Sequence, residues 1–125
     1  MASPPLLSTP ILNEELFLYL AVSPSAISLA LVRKEHKIQY PMYYTNRTLQ
    51  GAENLYSRIE KLAFAVITSA RRLYPYFQAH TVVVLINLPL RRILSQPKMS
   101  GRLMKWALEL EEFKVIYRRQ TAIKG

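Results

Sequence analysis

Thr81-Val82-Val83-Val84-Leu85-Ile86 is the stretch that decides the fold. Uncharged and rich in β-branched side chains, it reads as a strand buried on both faces. What precedes it has a different period. Ala52, Leu55, Tyr56, Ile59, Leu62, Ala63, Val66, Ile67, Ala70 and Leu73 recur at three- and four-residue steps, which predicts one long helix from Gly51. Pro75 ends it, because the residue before a proline is pushed out of helical geometry. A strand reached through a helix returns by a crossover, and a crossover favours parallel pairing.

Upstream of the helix the chain reads as three strands on short connections. Leu16–Val22 is a continuous apolar run of a length that suits burial on both faces. Ser23-Pro24-Ser25 turns it into Ala26–Arg33, the charged Arg33–Lys37 makes a hairpin tip, and Ile38–Thr45 returns. Downstream, a short helix is expected at Leu90–Ser95. An amphipathic one follows at Lys98–Glu111 with Met99, Leu103, Trp106, Ala107 and Leu110 on one face, then a strand at Phe113–Tyr117. The expected class is α/β: a mixed five-stranded sheet, made of an antiparallel three-strand meander and two parallel strands, with a long helix and a second amphipathic helix.

The chain has 125 residues, which is one domain, and no cysteine, which removes disulfides, thiol catalysis and thiolate metal sites. No basic segment followed by an apolar run marks a secretory leader, and no apolar run approaches the roughly 18 residues of a membrane span. Seventeen Lys and Arg against eight acids give a formal charge of +9. Most of the excess lies after residue 50, a field that favours polyanions. All eight acids are glutamates; aspartate is absent. His36 and His80 sit in expected loops without a third ligand at metal spacing and read as surface residues. Ser23, Ser25 and Ser28 lack the Asp of a triad, and no glycine-rich phosphate loop is present. Tyr74, Tyr76 and Phe77 could stack on bases, but aromatics after a helix are more often core.

Several strings, in order, resemble the RNase H domain of gypsy-type LTR retrotransposon polyproteins, in wording closest to plant elements. Leu18-Tyr19-Leu20-Ala21-Val22-Ser23 is similar to the family's first strand, and Pro41-Met42-Tyr43-Tyr44 to its third. Glu53, Tyr56 and Ile59-Glu60-Lys61-Leu62-Ala63 resemble its helix signature. Ile86-Asn87-Leu88-Pro89-Leu90 stands where the family has Thr-Asp-His-Pro-Leu, and Tyr117-Arg118 with Thr121-Ala122-Ile123-Lys124-Gly125 resembles the exit from its last strand. Leu6-Leu7-Ser8-Thr9-Pro10 is similar to the linker from the reverse-transcriptase connection, so residues 1–14 are expected to be linker and 15–125 a C-terminally truncated RNase H-like domain.

The resemblance implies a ribonuclease that holds two divalent cations about 3.5–4 Å apart on a set of carboxylates. Active relatives use Mg2+. Carried over residue by residue, the helix glutamate is Glu60, the first-strand Asp is replaced by Ala21, the fourth-strand Asp by Asn87, and the last Asp would fall beyond Gly125. One carboxylate cannot hold two dications against their hydration. The expectation is therefore a non-catalytic domain with Glu60 vestigial, no cofactor and no metal site. Its role is that of a spacer between the reverse transcriptase and a downstream polyprotein domain, binding RNA–DNA hybrid weakly. Arg91 and Arg92 are the leading contacts, with Arg71, Arg72, Arg102 and Lys105 as further candidates. Cations closing a helix also satisfy its dipole, which explains Arg71 and Arg72 without a ligand. The alternatives are an active RNase H component and a translated transposon remnant. The expected location is intracellular, in a cytoplasmic particle or the nucleus, with no membrane partner.

Overall fold

The structure, a computed structural model, describes residues 14–86 and 101–119. Segment 1–13, Asn87, the expected helix at Leu90–Ser95, Arg91 and Arg92 lie outside the described residues. The elements are β1 (Leu16–Val22), β2 (Ala26–Glu35), β3 (Ile38–Thr48), a 3-10 turn (Gly51–Leu55), α1 (Arg58–Arg72), α2 (Tyr74–Ala79), β4 (Val82–Ile86), α3 (Gly101–Leu110) and β5 (Val115–Arg119). The sheet runs β3-β2-β1-β4-β5. Its first two pairings are antiparallel, and β1 with β4 and β4 with β5 are parallel, as two crossovers require.

Helices α1 and α3 share one face of the sheet. Leu62, Val66, Ile67 and Ala70 of α1 and Leu103, Trp106 and Leu110 of α3 join Leu16, Leu18, Val82 and Val84 in one core. Three rings seal the α1–α3 contact: Tyr56 and Phe64 meet edge-on at 5.6 Å, and each lies within 5.7 Å of Trp106. Aromatic pairs of this geometry add about 0.5–1.5 kcal/mol each beyond the area they bury.

Several expectations need correction. The long helix does not start at Gly51; a 3-10 turn precedes it, and α1 starts after Ser57, whose hydroxyl accepts from the Glu60 amide at 3.2 Å. The long helix does end before Pro75, at Arg72, but a second helix follows at once: Pro75 sits in the first turn of α2, where its missing N–H costs nothing. β1 is not buried on both faces: it alternates, Leu16 and Leu18 facing the helices, Phe17 and Tyr19 half-buried, Ala21 exposed. His80 is buried rather than on the surface, with Nδ1 2.8 Å from the Glu14 carbonyl. The hairpin tip, too, narrows to His36-Lys37; Arg33 is buried, bonded to Glu14 and Glu35 and stacked over Tyr40.

Candidate functional site

In open sheets with parallel strands, ligands bind outside the strands' carboxyl ends. Here those ends lie side by side: Tyr19 pairs with Leu85, and Leu85 with Arg118. Both helices on the sheet start at that end. Lys61, in the first turn of α1, passes its Nζ to the Pro24 carbonyl in the β1–β2 turn at 3.0 Å. Arg102, in the first turn of α3, reaches Glu60. The end of β3 arrives there as well, through Leu49 N–H to the Ser25 carbonyl.

Glu60 is built into the fold. Its Oε1 accepts from the Ser57 amide at 2.9 Å, reciprocating the Ser57 hydroxyl in a capping box, and its Oε2 accepts from Arg102 at 2.8 Å. The Arg102 guanidinium lies over the Tyr56 ring, 4.3 Å from its centre. Glu60 thus ties the start of α1 to the start of α3. Alternation along β1 turns Ala21 away from the helices while Leu20 and Val22 pack against the core. The one other carboxylate at this end among the described residues, Glu53, is bound by Arg47 through two bonds of 2.8 and 3.0 Å. The Arg47 hydrogen bond holds Glu53 below its ordinary value, and Glu53 raises Arg47 in turn.

This donor set does not fit a pair of divalent cations. Each carboxylate already serves a guanidinium, and Lys61 brings a further positive charge. Among the described residues no group of three His, Cys, Asp or Glu could hold a metal ion. Local charge instead favours an anion.

The remaining sequence-derived candidates are scattered. Arg71, at the far end of α1, makes two bonds of 2.7 Å to Glu109, and Arg72 donates to the Tyr43 hydroxyl at 3.1 Å. Lys105 is exposed on α3, one turn before Glu109, whose carboxyl it helps to hold down together with Arg71. An open cleft of about 430 Å³ beside Arg72 is lined by Tyr43, Thr45 and Thr68 and gathers no reactive cluster. Of the aromatic trio, Phe77 is buried in the core, Tyr76 packs against it, and Tyr74 bonds Glu112. Sequence reasoning passed over Arg58, Lys61, Arg118 and Arg119. The signal for them was available: assigning each charge to one end of the expected sheet gathers them together.

Residues 12–113 match the family described as RNase H-like domain found in reverse transcriptase. Among solved structures, the foamy viral protease-reverse transcriptase dRH in complex with double-stranded DNA superposes with a TM-score of 0.71 at 15% identity, over 90% of this chain and 20% of that one. The native prototype foamy virus protease-reverse transcriptase gives 0.65 at 19%, over 92% and 16%. The foamy viral enzyme in complex with an RNA/DNA hybrid gives 0.59 at 16%, over 88% and 16%. At these identities the likeness is one of fold, and the chain spans a fifth or less of those chains. No curated protein matches it.

Proposed function

Because the chain belongs to the family of RNase H-like domains found in reverse transcriptase, we propose that it is a non-cleaving member. In this reading it serves as a spacer within a gypsy-type retrotransposon polyprotein, between the polymerase and the domain that follows, and holds RNA–DNA hybrid weakly. One observation carries it. The carboxylate that matches the family's helix ligand, Glu60, has both oxygens engaged by the α1 cap and Arg102.

Two further features support it. Alanine at position 21 offers no ligand, and a solved relative of this fold is in complex with an RNA/DNA hybrid. Among the described residues no buried side-chain polar atom lacks a partner, a consistency expected of a domain that folds for a purpose.

The test is incubation of the purified domain with an RNA–DNA hybrid in Mg2+ or Mn2+. No cleavage is expected. Metal-dependent cleavage that co-purifies with the domain and disappears in Glu60→Gln would overturn the proposal.

A further inference from the structure

Among the described residues, charge is divided between the two ends of the sheet. At the carboxyl end of the parallel strands stand Arg47, Arg58, Lys61, Arg102, Arg118 and Arg119, six cations against two carboxylates, Glu53 and Glu60. At the opposite end, Glu14, Glu15, Glu35, Glu109, Glu111 and Glu112 meet Arg33, Lys34, Lys37, Arg71, Arg72 and Lys114, with Lys105 one turn before Glu109. Among the described residues that end is close to neutral and laced by ion pairs such as Arg71–Glu109 and Arg33–Glu14. Two of the cations at the charged end, Arg47 and Arg102, are paired with its two acids.

Arg58, Arg118 and Arg119 are different. All three are exposed, and none has an acidic partner among the described residues. Arg58 opens α1 and lies three residues before Lys61, hence on the same side of the helix. Arg118 and Arg119 end β5, two strands from β1, about 10 Å across the sheet. Successive strand residues face opposite ways, so the pair straddles the sheet edge. Unpaired guanidiniums at one end of a molecule, with acids withdrawn to the other, suit a run of phosphates.

We infer that this end binds the phosphate backbone of nucleic acid directly, without a metal ion, through Arg118, Arg119 and Arg58. The inference rests on the hybrid-binding reading above and assigns it a site. Where active relatives would gather carboxylates around cations, this chain presents cations to the substrate's own anions. Binding is sequence-independent and survives chelation.

The experiment is fluorescence anisotropy of a labelled RNA–DNA hybrid against salt, in Mg2+ and in EDTA. The proteins are wild type, Arg118→Ala/Arg119→Ala, Arg58→Gln, and Lys34→Ala/Lys37→Ala at the neutral end, each checked for folding by its thermal transition. Wild type should bind in EDTA. The Arg118/Arg119 variant should flatten the slope of log affinity against log salt by roughly two units, and Arg58→Gln by roughly one, at about 0.9 per duplex phosphate contact. The Lys34/Lys37 variant should keep the wild-type slope. Unchanged slopes in both arginine variants, or binding that requires Mg2+, would remove this site and leave the spacer reading standing. Absence of hybrid binding by wild type in every condition would remove both.

Discussion

On the non-cleaving reading, Glu60 is a carboxylate that serves the fold rather than a reaction. A carboxylate in a metal centre repels its neighbours when the metal is absent, so removing it often relieves strain. Glu60 instead accepts from Ser57 and Arg102 and sits in the first turn of α1, where negative charge suits the helix dipole. Glu60→Gln should therefore destabilise the protein, by about 1–2 kcal/mol in urea titration. A variant as stable as wild type, or more so, would return Glu60 to the status of a leftover ligand. The sequence identified Glu60 by resemblance but not its partners. Arg102 lies 42 residues away, and only the packing of α3 on α1 brings it near.

At the scale of elements, the β2–β3 hairpin turns on two residues, His36 and Lys37, both at positive φ (51° and 67°). Two-residue hairpins favour such turns because they match strand twist, but side chains other than Asn, Asp and Gly strain there. Lys37→Gly should raise stability by about 0.5–1 kcal/mol, read from the thermal midpoint; a lower midpoint would refute the turn assignment. The strands were largely legible in the sequence: β1 and the start of β2 fall at the expected residues, because apolar runs bounded by Ser-Pro-Ser leave little choice. The start of α1 was written in Ser57-Arg58-Ile59-Glu60, a capping box, yet the apolar period running back to Ala52 masked it. Periodicity says which face is buried, not where hydrogen bonding begins. Burial of His80 and Arg33 was not legible at all, since both depend on Glu14, distant in sequence and adjacent only across the folded sheet.

For the molecule as a whole, ion pairs and burial set a pH window. Glu53 and Glu109 are held below the ordinary 4.5, chiefly by hydrogen bonds from Arg47 and Arg71. A lowered folded value stabilises above the ordinary value, and that stability is lost as pH falls through it. Burial pushes the Tyr117 phenol from 10.0 to about 12. Its contribution is complete below pH 10 and is lost as pH rises towards 12, by roughly 2–3 kcal/mol. Urea titrations across pH should show both limbs, with Glu109→Gln flattening the acid one and Tyr117→Phe the alkaline one. An alkaline limb that persists in Tyr117→Phe would assign it to other groups.

The division of charge has a kinetic meaning as well. Helix α1, 15 residues and about 22 Å long, spans the distance between the neutral end and the basic one. Described residues so polarised exert a torque on the domain in the field of a polyanion before the two touch. On the hybrid-binding reading it would arrive already turned, basic end first. Encounters that would otherwise be wasted on the wrong face become productive, and this advantage fades as added salt shortens the reach of the field to about 8 Å at physiological ionic strength.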